Sequence, residues 1–240
     1  MRKIFLDRIE SNEIVIDGEE HQHLAYSLRA RVGDEIILCA NRIDYIAEIK
    51  EITSKKTVLK VISSKENDTE PITQMTLFFG ALKGDKNEYI VQKCTELGVN
   101  SLVPFISEFS SVRAENIKID RLYKIAKEAS KQCGRGIVPI VEQPQNIINI
   151  YEKLKEYDLV VFPYEKEKTT TIKQFIKDRT NSQKIAIIIG SEGGFSETEA
   201  TEISQISGGS ITLGKRILRA DTACVAVLSV LMNEFGEWVQ

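Results

Sequence analysis

The stretch from Lys184 to Ala223, KIAIIIGSEGGFSETEATEISQISGGSITLGKRILRADTA, limits the fold more than any other part of the chain. Residues 185–189 hold no polar position, which suits a strand buried on both faces of a parallel sheet. Gly190-Ser191-Glu192-Gly193-Gly194 follows, with glycines where a ligand touches backbone or where φ must be positive. Ser196 and Glu199 have capping-box spacing, so a helix is expected to start there and to stop at Gly208-Gly209. Residues 210–213 read as a second strand, residues 214–221 as a second loop, and residues 220–235 as a closing helix. Two such loops at the carboxyl ends of neighbouring parallel strands are where open α/β sheets bind ligands.

The spacing matches neither G-x-G-x-x-G nor G-x-x-x-x-G-K-[ST], so neither nucleotide fingerprint is met and a nicotinamide oxidoreductase is disfavoured. Glu192 at the helix entrance repels an anion and points to a neutral or cationic ligand. From spacing alone a second reading stands beside this one, in which the glycines only make turns and Glu192 is solvated.

The rest of the chain divides by pattern. Residues 1–70 read as a small β domain, with short β-branched segments at 4–6, 14–16, 35–38, 43–52 and 57–62 and one helix over 20–29. SSKENDTEP, residues 63–71, is polar enough to serve as a linker. From Met75 strands and helices alternate, which predicts a mostly parallel sheet covered on both sides. Strands are expected at 75–81, 101–106 and 159–162. Helices are expected after an Asp85–Glu88 cap and after Asp120, then over 147–154 and 170–177.

Composition excludes some classes. The 240 residues are 42% hydrophobic and 28% charged, with net charge −3, an ordinary globular balance rather than that of a basic nucleic-acid binder. Local basic groups exist nonetheless: Arg29/Arg31, Lys83/Lys86, Lys124/Lys127/Lys131/Arg135 and Lys215/Arg216/Arg219. The longest apolar run, residues 223–228, is too short for a bilayer, and MRKIFLDRIE lacks the apolar core of a secretion signal, so a cytoplasmic protein with no membrane partner is expected. The four cysteines are scattered, the two histidines have no cysteine nearby, and buried thiols without a metal site are the expectation. The closing helix is apolar most of the way round, which leaves burial within the chain or a subunit contact as alternatives.

GSEGGFSETE followed by LGKRILRADTA resembles the paired signature of the SPOUT RNA methyltransferases. HQHLAYSLRARVGDEI, GALKGDKNEYIVQKCTELGVNSLVPF and RLYKIAKEASKQCGR extend the resemblance over most of the chain, toward the branch that methylates uridine N3 in 16S rRNA. Asp221 stands where the family usually has Glu, and Phe109 where Arg is common.

The resemblance implies a PUA-like β-barrel over 1–70 and a trefoil-knotted SPOUT domain over 71–240, paired as a homodimer through the last helix. It implies S-adenosylmethionine as cofactor, held by Pro163, Glu165, Ile189, Gly190, Glu192, Gly193, Gly194, Leu213, Gly214, Ile217, Leu218 and Ala220. Ile189, Leu213, Ile217 and Leu218 would pack on the adenine. Arg219 and Arg216 are the candidates to stabilise charge on the acceptor, with Asp221 or a water as base. For Arg219 an ion pair with Asp221 or Glu192 is the alternative. Arg29, Arg31, Lys83, Lys86 and Arg135 are the expected RNA contacts, and the small ribosomal subunit is the implied partner. A SPOUT enzyme acting on ribose 2′-OH or another base, and a non-catalytic RNA-binding or assembly module, remain alternatives.

Overall fold

The computed structural model describes residues 2–238. It comprises two compact units, residues 1–70 with 130–138, and residues 71–129 with 139–240.

In the first unit, β1 (Lys3–Phe5), β2 (Glu13–Ile16), a short helix α1 (Gly18–Gln22) that continues into one π turn, β3 (Glu35–Ala40), β4 (Ile43–Ile52) and β5 (Thr57–Glu66) follow in order. The sheet runs β1-β3-β4-β5-β2, antiparallel except for the parallel β1–β3 pair. Asn41 and Arg42 join β3 to β4 with φ of 50° and 63°, the left-handed pair that a two-residue hairpin turn requires. Ile36, Leu38, Ala47, Ile49 and Leu59 form its core with Leu24 from the π turn.

The expected linker is corrected here. Residues 63–66 are the end of β5, paired with residues 43–46 of β4. Asn67 is buried and donates to the Asp44 carboxylate (2.9 Å) and to the Gly134 carbonyl (3.0 Å). Polar composition alone does not distinguish a solvated connector from a ladder edge whose side chains find partners.

The second unit contains β6 (Gln74–Gly80), α2 (Lys86–Glu96), β7 (Ser101–Ile106), most of α3 (Ile119–Cys133), β8 (Ile140–Val141), β9 (Gln145–Asn146), α4 (Ile147–Leu154), β10 (Leu159–Val161), α5 (Ile172–Ile176), β11 (Lys184–Ile189), α6 (Glu197–Ser207) and α7 (Ala220–Glu234). Its sheet runs β10-β11-β6-β7-β8, with β9 also on β7, and every pair is parallel. Phe78, Val103, Phe105, Val160, Ala186 and Ile188 meet α4 and α6 in one cluster. Successive side chains alternate across a strand, so Leu77, Phe79, Ile187 and Ile189 face the other way, where α7 packs on β6 and β11 and α2 packs on α7. Helices therefore cover both faces, and all five residues 185–189 are buried, as their unbroken apolar run predicts.

Three local expectations differ from the structure. Residues 210–213 form no ladder strand; Ile211 and Thr212 make single parallel bridges to Pro163 and Thr171. Asp85 makes no side-chain cap on α2; instead Asn87 hydrogen-bonds the amide and carbonyl of Leu82, and Glu88 pairs with Arg121 at 2.6 Å. Cys39, Cys94 and Cys224 are buried as expected, whereas Cys133 is exposed at the end of α3.

Candidate active site

The carboxyl ends of β10 and β11 open onto a cavity of about 630 Å³. Three segments wall it: residues 163–168 after β10, residues 189–195 after β11, and residues 212–220 leading into α7. Each is placed by a local rule. The parallel strands deliver their ends to one edge. The Ser196–Glu199 capping box is present, with both reciprocal hydrogen bonds, and starts α6 directly after the glycine loop. Arg219 is the N-cap residue of α7, in extended conformation, so the second loop ends where that helix begins.

The glycine loop is hemmed in by its neighbours. Residues 191–194 close a turn, the Gly194 amide donating to the Ser191 carbonyl (3.0 Å), and Gly194 has φ of 70°. A Cβ on Gly193 would fall 2.7 Å from both the Cβ and the carbonyl oxygen of Phe109. Gly80, at the end of β6, meets the same loop from below, where a Cβ would stand 2.3 Å from the Ser191 amide nitrogen. The loop is further tied through Glu199, which is buried and accepts the amides of Ser196 (2.9 Å) and Glu108 (2.8 Å).

The charges around the cavity are mixed. Glu192 pairs with Lys86 at 2.7 Å. Burial works against ionisation of Glu192, but hydrogen bonds from Lys86 and backbone amides outweigh it and hold the carboxyl below its ordinary range. Its charge is therefore largely compensated, which weakens the inference that it selects a cation by itself. Lys215, Arg216 and Arg219 are exposed, and among the described residues their side chains make no ion pair or hydrogen bond. Ser191 is buried on the cavity wall with its Oγ unpartnered.

Most of the expected residues come together here. Pro163, Glu165, Ile189, Gly190, Glu192, Gly193, Gly194, Leu213, Gly214, Ile217, Leu218 and Ala220 all line the cavity, as do Arg216 and Arg219. Ile217 is 83% exposed, so in this state it is presented to solvent rather than packed. Asp221 is a correction: it is not among the lining residues, and its carboxylate accepts the Thr222 amide (2.9 Å) in the first turn of α7, where a negative charge suits the helix dipole. Lys215, from the basic group expected there, also lines the cavity, and Tyr164, Lys168, Ser191 and Thr212 do so without having been singled out. Their only sequence signal was adjacency to residues that were.

The expected RNA contacts separate. Arg29 and Arg31 are exposed in the first unit, and Arg29 has φ of 49°. Lys83 is exposed after β6, while Lys86 turns onto Glu192 in the cavity wall. Arg135 is a correction: its side chain is 4% exposed and pairs at 2.6 Å with Glu70, which is equally buried. A guanidinium so enclosed is a structural ion pair within the first unit, not a phosphate contact. His21 is buried with Nδ1 2.8 Å from Thr57 Oγ1, which settles it as a packed histidine, and His23 is exposed.

A family model described as RNA methyltransferase domain matches residues 68–232. The ribosomal RNA small subunit methyltransferase E of Bacillus subtilis (strain 168) is 30% identical over 231 residues, covering 92% of this chain and 90% of that protein. The crystal structure of a ribosomal RNA small subunit methyltransferase E from Neisseria gonorrhoeae, bound to S-adenosyl methionine, is similar with a TM-score of 0.84 and 26% identity, covering 97% of each chain. A Legionella pneumophila methyltransferase in complex with its bound cofactor SAM has a TM-score of 0.86 at 26% identity, covering 96% of each chain. Family match, near full-length coverage and shared fold agree with a ligand cavity at the sheet edge, and the chain belongs to the ribosomal RNA small subunit methyltransferase E family of RNA methyltransferases.

Proposed function

We propose that this chain methylates N3 of a specific uridine in the 16S rRNA of the small ribosomal subunit, with S-adenosylmethionine as methyl donor. One observation carries the reading: the cavity walled by all the expected donor-binding residues also presents Arg216 and Arg219 with no protein partner among the described residues.

The cavity fits the donor. Its volume lies within the roughly 300–1,000 Å³ of small-molecule sites. The unpartnered Ser191 Oγ is a buried polar group in want of a hydrogen bond. Glycine-rich backbone offers unshielded amides, and the mixture of Glu165, Glu192, Lys168 and Lys215 suits a ligand carrying both signs of charge. Residues 163–165, 189–194 and 213–220 would hold it. When bound, it supplies a methyl group already activated by its sulfonium sulfur.

The chain's own task is at the acceptor. Uridine N3 carries a proton and becomes nucleophilic only as that proton leaves to water, so negative charge spreads over N3 and the flanking carbonyl oxygens. Arg219 caps α7 at the cavity wall, and the planar fork of its guanidinium matches such a carbonyl edge. A preorganised cation of this kind is worth about 3–4 kcal/mol of barrier. Among the described residues Arg219 makes neither of the alternative ion pairs, and Glu192 pairs with Lys86 instead.

The wider reading is a homodimeric SPOUT enzyme with a PUA-like first domain and a trefoil knot. In support of the knot, Ile211 bonds Phe162 and Tyr164 on one side, and Thr212 bonds Thr170 at the far end of the same loop. In support of the dimer, Val230 on α7 is 41% exposed beside half-buried Val225 and Ala226. Val227 and Leu231, which the apolar pattern does not separate from them, are wholly buried within the chain, so a charge there reports on folding rather than on pairing.

The test is to incubate the protein and labelled S-adenosylmethionine with 30S subunits and with bare 16S rRNA, then to map the modified nucleoside. N3-methyluridine at one position is expected. Label on a ribose 2′-OH or another base, or none on either RNA, overturns the reading.

A further inference from the structure

We infer that Phe109 is a stacking platform that positions a nucleobase of the RNA acceptor beside the cavity; this rests on the RNA methyltransferase reading above. Phe109 lies at the carboxyl end of β7, on the same sheet edge as the cavity. It is 49% exposed, and it meets no other aromatic ring among the described residues. Its Cβ and carbonyl abut Gly193, and Gly193 itself lines the cavity, so one loop separates the ring's backbone from the bound donor's space.

The turn that carries it is held firmly. The Ser110 amide donates to the Ser107 carbonyl (3.1 Å), the Ser107 amide to Ser110 Oγ (2.9 Å), and the Glu108 amide to the buried Glu199 carboxylate (2.8 Å). Four residues are thereby fixed to present one ring, which removes most of the ordering cost of using it. The neighbouring strand, β6, ends in the loop that carries Lys83, exposed and without an ion pair among the described residues. An exposed aromatic ring and an exposed cation, carried by the loops that follow two neighbouring strands, are the two groups single-stranded nucleic acid uses, since every base has a π-face and every linkage a phosphate. A flat hydrophobic partner alone would not need the cation, and a small ligand would be taken by the cavity.

Stacking on an aromatic is worth about 1–3 kcal/mol per base by truncation. Phe109→Leu keeps the Cβ contact with Gly193 and removes the π-face. It is expected to raise KM for the RNA about tenfold or more, the equivalent of about 1.4 kcal/mol. The calorimetric affinity for S-adenosylmethionine is expected to stay within twofold, and Phe109→Tyr is expected to restore KM. The direct readout needs no catalysis: in Phe109→Trp carrying Trp238→Phe, bare 16S rRNA is expected to quench the emission of the single tryptophan. An unchanged KM in Phe109→Leu, a fall in donor affinity, or emission indifferent to RNA overturns the inference. Because quenching is read without methyl transfer, absence of N3-methyluridine defeats the functional reading while leaving this one to be judged separately.

Discussion

The two loops that wall the cavity are built on opposite plans. Residues 190–194 are confined by their neighbours on the side away from the cavity: Gly80 and Gly193 have no room for a methyl group, Gly190 would press on the Phe195 ring at 2.9 Å, and Glu199 ties the following helix to the 107–110 turn. Residues 214–219 meet almost nothing. Gly214 has φ of 95° yet open space beyond it, Lys215, Arg216, Ile217 and Arg219 are exposed, and the side chains of Lys215, Arg216 and Arg219 lack polar partners among the described residues. The first loop is a wall whose shape is set before any ligand arrives. The second leaves its cationic side chains without partners among the described residues. On the function proposed above, such a division would keep the donor pocket preorganised and leave the charged groups for the reacting centre.

The strongest test of this contrast is Arg219→Ala. If the second loop acts on the acceptor, single-turnover methyl transfer falls about 10²–10³-fold, the range for removing one preorganised donor. Donor affinity by calorimetry should remain within twofold. A parallel loss of affinity and rate would mean that Arg219 braces the donor site, and the two loops would then not differ in role.

A paired glycine experiment is next in size. Gly193→Ala must push Phe109 and its turn aside, at a cost of about 1–3 kcal/mol of stability, the usual range for overpacking. It should also weaken donor binding, because the wall itself moves. Gly214→Ala has only its left-handed backbone to overcome, about 1 kcal/mol. Urea denaturation of both variants reads the difference; equal losses would remove the distinction between a confined and an open loop.

The smallest effect is in acid. Glu167 belongs to the segment after β10 that completes the cavity rim. Hydrogen bonds from the Thr169 hydroxyl and amide, then from the Thr170 and Lys168 amides, hold its carboxyl down at about 2 against the slight opposition of desolvation. A depressed carboxyl contributes stability that is fully present above its unfolded value near 4.5 and is lost as pH falls toward 2. The urea midpoints of wild type and Glu167→Gln should therefore converge over that window and differ above it. A constant difference down to pH 2 would show that those hydrogen bonds do not depend on the charge.

Much of this was legible because its causes are local. An unbroken apolar run made β11, three-residue spacing made the capping box of α6, and Gly208, left-handed at φ of 73°, ended that helix. The two loops followed from what lay between these elements, whereas the third wall of the cavity, after β10, was expected only from the family resemblance. What the sequence could not decide depends on partners far along the chain. Lys86 and Glu192, 106 residues apart, become one ion pair only when the ends of β6 and β11 are side by side. Arg135 is buried because Glu70, 65 residues earlier, accepts it and no phosphate can reach it. Gly193 must be glycine because of the Phe109 backbone, not because of its own turn. Propensity, periodicity and caps act over a few residues and are written in sequence order, whereas steric exclusion and charge pairing are properties of distance in space, which only the folded chain defines.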